Sequence, residues 1–396
     1  MPEPATPPPL SLYVHVPWCV RKCPYCDFNS HAAVGNIPEK AYVDALLDDL
    51  DQDLNTIIDR TIHTIFIGGG TPSLLSPNAI ERLLTGIGQR TGMTKEREVT
   101  MEANPGTVER EKFSDFLHAG INRLSIGIQS FDDIQLQRIG RIHNGNDAIR
   151  ATETAEAAGF GNLNLDLMYG LPEQTPEQAV GDLCIAIDLN PCHISWYELT
   201  LEPNTLFHNQ PPPLPGDDAV MGIRAAGLPV LAESGYTHYE ISAHAREGRE
   251  CRHNLNYWSF GDYLGIGAGA HSKLTDTGKQ EIYRTWKIRH PRAYLENTTG
   301  TSRVAGRSKL LQQDIILEFM MNTLRLTRGF STAQFTEATG LPVSRITPTI
   351  DEARSRGLLS RDGDLVHTTD TGSRYLNELL LLFMPEGSAR AGTGMG

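Results

Sequence analysis

A chain of 396 residues with a 39% hydrophobic fraction can bury a substantial core, and its length suits two domains or one large barrel with an appendage. The formal net charge of −13 excludes broad nucleic-acid binding, which needs a concentrated basic surface, and no run nears the roughly 20 consecutive apolar residues of a membrane-spanning helix. Six cysteines are too few for a disulfide scaffold, and the start Met1-Pro-Glu-Pro-Ala-Thr-Pro7 lacks the basic and apolar regions of a signal peptide, so reduced thiols and a cytoplasmic setting are expected.

Residues 1–10 are proline-rich and read as a disordered lead-in, as does the small, polar tail 385–396. Between them, apolar runs predict strands at 12–16, 64–67, 98–102, 123–128, 164–168 and 193–199. Helical periodicity separates them over 39–58, 77–89, 108–119, 146–158 and 176–189. Proline directly after Ser76 and Thr175 marks two helix starts. Such alternation builds a parallel sheet of the α/β class, and six units suit a closed or partly closed barrel. The stretch 203–215 reads as an extended connection, followed by a helix near 217–234 and a strand near 236–242. Gly265-Ile-Gly-Ala-Gly-Ala270 lacks the strand–helix setting of a dinucleotide loop and reads as packing at close quarters. From about Ser308, short helices and a small hairpin near 357–367 predict a mostly helical, winged-helix-like domain. The division is therefore 11–205 for the barrel, 206–300 for a mixed α/β extension and 301–384 for the C-terminal domain.

Each of the six predicted strands runs into unusual residues: His15-Val-Pro17, Gly68-Gly-Gly-Thr-Pro72, Met101-Glu-Ala-Asn-Pro105, Gly127-Ile-Gln-Ser130, Asp166-Leu-Met-Tyr-Gly-Leu-Pro172 and Tyr197-Glu-Leu-Thr200. Active sites of α/β barrels form at the carboxyl ends of the strands, so these ends describe one composite site. After the first comes CxxxCxxC, formed by Cys19, Cys23 and Cys26, with no further cysteine before Cys184. Thiolates at this spacing can each take one iron of a 4Fe–4S cluster, and three leave one iron open to a small molecule. A structural zinc would need a fourth ligand such as His15 or His31. The successive glycines of the second loop let a ligand approach the backbone. Glu102 and Asp166 can accept hydrogen bonds from an amine or ribose hydroxyls, and Gln129 and Arg141 can add contacts. Each alone reads as a capping or ion-pair residue; beside the cysteine loop they describe a site for a charged, adenosine-like ligand.

With Tyr25 before the last cysteine and the Gly-Gly-Gly-Thr-Pro loop, the chain resembles the radical S-adenosylmethionine (radical SAM) proteins. Tyr13-Val-His-Val-Pro-Trp-Cys19, Met101-Glu102, Gly127-Ile-Gln129 and Asp166-Leu-Met-Tyr-Gly-Leu-Pro172 are similar to the branch holding oxygen-independent coproporphyrinogen III oxidase (HemN) and the haem chaperones of the HemW type. The resemblance runs from about residue 12 to 383. It implies a partial (β/α)6 barrel, a 4Fe–4S cluster on Cys19, Cys23 and Cys26, and S-adenosylmethionine contacts from Tyr13, Tyr25, Gly69 and Glu102. Gly70, Thr71, Gln129, Arg141, Asp166 and Thr200 would line the same cofactor cavity.

The branch holds two functions. The oxidase decarboxylates two porphyrinogen propionates by radical chemistry, whereas the chaperone binds haem and delivers it to acceptor proteins. Three features favour the chaperone. Phe28 stands where the oxidase has a fourth cysteine, about ten residues precede the first strand where the oxidase carries a long extension, and His253-Asn-Leu-Asn-Tyr-Trp258 fits the HNxxYW element associated with HemW. On this reading His253 is an axial haem ligand, Tyr257 and Trp258 pack against the porphyrin, and Arg252 pairs with a propionate. Cys251 is an alternative thiolate ligand, and His253 equally reads as a hydrogen-bonded structural residue. The resemblance implies as partners haem and a haem-accepting protein, of respiratory type, with membrane-surface contact only through that acceptor. A homodimer is a further expectation, and nucleic acid is not expected.

Overall fold

The apolar runs lie side by side in a computed structural model that describes residues 7–106, 110–297, 302–360 and 362–384. β1 (Leu10–Val16), β2 (Thr61–Gly69), β3 (Gly92–Ala103), β4 (Arg123–Gln129), β5 (Leu163–Tyr169) and β6 (His193–Glu198) run parallel in chain order. β1, β4 and β5 are buried almost throughout, which accounts for their unbroken Val, Ile and Leu content: both faces are covered. Helices Glu39–Asp53, Pro77–Arg90, Arg110–His118, Gly145–Ala157 and Pro176–Asp188 make the crossovers. Ser76 and Thr175 cap two of them by accepting from Ala79 N and Gln178 N, with proline in the first turn as the sequence predicts. Leu10 is already buried in β1, so the lead-in is shorter than expected. Residues 1–6 and 385–396 lie outside the described residues.

The arc does not close, because other strands take both of its edges. Next to β6 lies an antiparallel hairpin of β7 (Thr237–Glu240) and β8 (Ala243–Ala245), with β8 against β6. The single strand expected at 236–242 is therefore split by a reversal at Ile241 and Ser242. On the other side β9 (Asp262–Ile266) pairs parallel with β1, and β10 (His271–Asp276), β11 (Glu281–Lys287) and β12 (Val304–Lys309) continue antiparallel. The edges of the arc are thereby hydrogen-bonded without barrel closure.

Buried charges fasten this extension to the arc. Asp262, fully buried, accepts from Arg60 Nη1 (2.8 Å), Lys273 Nζ (3.1 Å) and Thr275 N (2.8 Å). Asp49 on the first helix accepts from Lys287 Nζ (2.6 Å), Tyr294 Oη (2.6 Å) and Gly267 N (3.1 Å). The HNxxYW segment forms helix Arg252–Trp258, which docks across the row Ser11, Thr64 and Glu98, toward the N-terminal ends of the strands. Glu98 accepts from Arg252 N (3.2 Å) and His253 N (3.1 Å), and Asn256 Nδ2 donates to Ser11 Oγ (2.8 Å).

A second core, including Phe319, Phe330, Phe335, Ile350 and Leu379, organises helices Gln312–Thr323, Thr332–Thr339 and Thr347–Ser355. Phe260 and Ile282 of the extension belong to it, so the C-terminal lobe is built onto the sheet. The hairpin expected near 357–367 is reduced to a bridge between Leu359 and Thr368, while Val366 pairs with Phe330. Among the described residues no helix is long and apolar enough to cross a membrane.

Glu98→Ala removes the acceptor of two helix amides beside the buried Arg123 guanidinium. A loss of about 3 kcal/mol in urea unfolding is expected, with faster amide exchange confined to 252–258. Unchanged exchange in that helix would show that other contacts hold it.

Candidate functional site

The loop after β1 is tied down at both ends. Trp18–Cys19 pairs parallel with His31–Ala32, through His31 N to Pro17 O (2.7 Å) and Ala33 N to Cys19 O (2.8 Å). His15 Nε2 donates to Asn29 O (2.9 Å), while Tyr13 Oη donates to His15 Nδ1 (3.0 Å). Burial lowers the His15 pKa to about 4, so the ring is neutral and both bonds hold across the physiological range. Gly70 N donates to Val16 O and Thr71 N to Trp18 O, each at 2.7 Å. Contact this close excludes side chains. Gly69 has φ of +108° and its Cβ would lie 2.4 Å from the His15 ring; that of Gly70 would lie 2.4 Å from Trp18 O. The glycines thus seat the cysteine loop as well as opening the backbone to a ligand.

Cys19, Cys23 and Cys26, each half-buried, line a cavity of ≈ 280 Å³ at the carboxyl ends of the strands. Tyr25, Gly69, Gly70, Thr71, Glu102, Gln129, Arg141 and Asp166 line the same cavity, as the sequence places them. Gln129 adopts φ of +72° at a register shift in β4, and its Oε1 accepts from Tyr197 Oη (2.7 Å). A non-glycine residue in that conformation at a strand end marks backbone strain held by its surroundings. Arg141 reaches across the cavity: Nη2 donates to Asn104 Oδ1 (2.7 Å) and Gly127 O (2.5 Å), and Nη1 lies 3.6 Å from Cys23 Sγ. Asp166 accepts from Ser125 Oγ and Asn164 Nδ2, both at 2.8 Å.

Burial, with Asp166 nearby, raises the Glu102 pKa to about 8, although its Oε2 accepts from Gly69 N (3.0 Å). Burial raises Asp166 and the thiols of Cys19 and Cys26 as well. Glu102 and the two thiols therefore hold their protons near neutral pH until a cation stabilises their charged forms, so metal or amine binding releases protons. Three thiols on one loop, facing one cavity beside a guanidinium, suit the donor set of an iron–sulfur cluster. Among the described residues no three His, Cys, Asp or Glu side chains converge on one ion, and cluster thiolates each bind a different iron.

Two residues expected at this cavity, Tyr13 and Thr200, are not on its wall, and His253, expected to bind haem, is not there either. Tyr13 is bonded to His15 and lies near the Glu102 carboxyl, which does line the cavity. Thr200 is exposed beyond β6, donating to Glu202 Oε1 (2.7 Å). His253 is 8% exposed on the docked helix, its Nδ1 is 3.0 Å from Thr64 Oγ1, and its ring lies 5.1 Å from that of Phe66. In this arrangement His253, expected as a haem ligand, makes the contacts of a hydrogen-bonded structural residue. Cys251 is fully buried, and burial pushes its thiol up to about 12. Arg252 instead donates to Glu96 O (2.6 Å), and Trp258 carries the Arg325 guanidinium 4.3 Å over its ring. The sequence reading missed the lining residues Asn104, Ser125 and Tyr197. All lie in strands or strand ends already singled out, where alternation with their named neighbours was the available signal.

Residues 13–183 match the Radical SAM superfamily, and residues 310–375 match the HemN C-terminal domain. Over 384 residues the chain is 50% identical to the heme chaperone HemW of Escherichia coli, covering 96% of this chain and 99% of that protein. The chain belongs to the HemW family. The heme chaperone HemW of Haemophilus influenzae is 49% identical over the same shares of both chains. Coproporphyrinogen III oxidase (HemN) from Escherichia coli, a radical SAM enzyme, superposes with a TM-score of 0.80 at 22% identity, over 95% of this chain and 90% of that one. The α/β radical SAM fold with a helical C-terminal region is thereby established for this member of the HemW family.

Because Glu102 holds a proton that the unfolded chain releases, stability of the ligand-free protein falls as pH rises from the ordinary carboxylate range through about 8. Glu102→Gln removes that dependence. Its melting temperature should fall less than the wild type's between about pH 6 and 9, by a few degrees. Parallel pH profiles would mean that Glu102 is ionised throughout.

Proposed function

We propose that this protein is a haem chaperone. Cys19, Cys23 and Cys26 hold a 4Fe–4S cluster, the cavity beneath them seats S-adenosylmethionine, and haem passes to an acceptor protein. The observation that carries this reading is the 50% identity, over 96% of the chain, to a protein named heme chaperone. The cavity adds chemistry consistent with it. When bound, the cluster supplies an iron with an open coordination position at the cavity mouth. Around it the chain's own residues bind and orient. Gly69 offers its backbone, Tyr25 closes one side, and Glu102 accepts from a ligand amine. Asp166, held by Ser125 and Asn164, accepts from ribose hydroxyls. Arg141 reaches the Cys23 sulfur and braces Asn104, which in turn donates to Thr71 Oγ1 (2.8 Å). Reduced cysteines suit a cytoplasmic setting.

The second reading, coproporphyrinogen III oxidation, has the shared HemN fold behind it. Against it stands Phe28, a cavity-lining residue that is 55% exposed at the position where the oxidase resemblance calls for cysteine.

The two readings separate in anaerobic solution. The reconstituted protein should contain iron and sulfide, lose both when Cys19, Cys23 and Cys26 are changed together to Ser, bind haem with a Soret band, and leave coproporphyrinogen III unchanged. Turnover of coproporphyrinogen III without haem binding would overturn the proposal in favour of the oxidase.

A further inference from the structure

A second cavity, of ≈ 580 Å³, opens between helix Asp217–Glu233, the edge strand β7 and the C-terminal lobe. Its volume falls within the roughly 300–1,000 Å³ of small-molecule sites, which favour such junctions. Arg224 comes from the helix and Arg374 from the C-terminal lobe, and among the described residues neither guanidinium has an ion-pair or hydrogen-bond partner. Arg224 also faces the Glu198 carboxyl, but the donors of both groups are free, and two such guanidinium groups over one cavity are a recognition element for carboxylates. Met221 and Leu228 add apolar surface, Met221 being 40% exposed.

His238 of β7 completes the lining. Its Nε2 lies 3.3 Å from Ile241 O, so the neutral ring donates to that carbonyl and carries its lone pair on Nδ1. A metal-ligating histidine is oriented in this way, with the other ring nitrogen held by a backbone carbonyl. The ring stacks on His244, centroids 4.6 Å apart at 17°, which fixes its plane. Burial lowers the pKa of both rings and keeps them neutral. Asp370 also lines the cavity, one carboxylate against two guanidinium groups.

We propose that this cavity is the haem seat: Met221 and Leu228 against the macrocycle, Arg224 and Arg374 on its two propionates, and His238 on the iron. The proposal rests on the haem-chaperone reading and deepens it. The cysteine cavity is a poor alternative. It has about half the volume, and its buried guanidinium, Arg141, is already bonded to Asn104 and Gly127 O.

Haem titrations of the reconstituted full chain, followed at the Soret band, test this. Joint replacement of Arg224→Gln and Arg374→Gln should weaken haem binding about tenfold or more, with iron and sulfide content unchanged. His238→Ala should shift the Soret maximum while metal-free protoporphyrin IX still binds. Wild-type affinity and an unshifted Soret band in all these variants would overturn the cavity assignment and leave the chaperone reading standing. Absence of haem binding by the wild type would instead overturn the chaperone reading, and this proposal with it.

Discussion

The close approach of Gly69 and Gly70 to His15 and Trp18 is the contact on which the arrangement of the site depends. With no side chains between them, the end of β2 and the start of the cysteine loop share two backbone hydrogen bonds of 2.7 Å. From there the constraint spreads outward. Tyr42 Oη donates to His15 O (2.7 Å) and accepts from Ala268 N (3.0 Å), while its ring meets Trp18 edge-on at 4.6 Å. Asn29 Nδ2 donates to Ala268 O and Arg289 O, so the far end of the loop is fastened to the extension. Three chain segments distant in sequence therefore fix where the cysteines stand. A site for a bulky inorganic group needs this, because the loop alone has few internal hydrogen bonds to define its shape.

A buried polar chain runs from the cavity floor to the HNxxYW helix and fixes its position. Asn164 donates to Asp166 and accepts on Oδ1 from His193 Nδ1 (2.5 Å); His193 Nε2 accepts from Tyr239 Oη (2.8 Å), which in turn accepts from Cys251 N (3.3 Å). The donors and acceptors agree with a single neutral tautomer of His193, whose pKa burial holds well below the usual range. Such a chain stabilises the fold only when every member is satisfied, which makes its residues poor candidates for substitution. The helix it reaches is held further by Glu98, Ser11 and Thr64, and its last residue supports Arg325 of the C-terminal lobe. The motif is a joint between lobe and arc.

The two cavities differ in electrostatic character. Buried carboxyl groups, three thiols and the guanidinium groups of Arg21 and Arg141 surround the first. Two guanidinium groups, two imidazoles, the Asp370 carboxylate and apolar side chains line the second.

Local pattern was enough to read the six strands and their helices, since apolar periodicity, caps and proline starts act within a few residues. The same locality made Cys19, Cys23, Cys26, Gly69, Glu102, Gln129 and Asp166 legible as one site, because each follows a strand that a parallel sheet must align. What the sequence could not decide depends on contacts between distant segments. The arc stays open because β8 and β9, remote in the chain, supply edge hydrogen bonds. Asn104 and Tyr197 enter the site through bonds to Arg141 and Gln129 that no spacing rule predicts. His253 reads as a ligand because the HNxxYW element resembles that of the haem chaperones. Tertiary packing turned its face inward to Thr64 and brought Arg224, His238 and Arg374 together around a separate cavity.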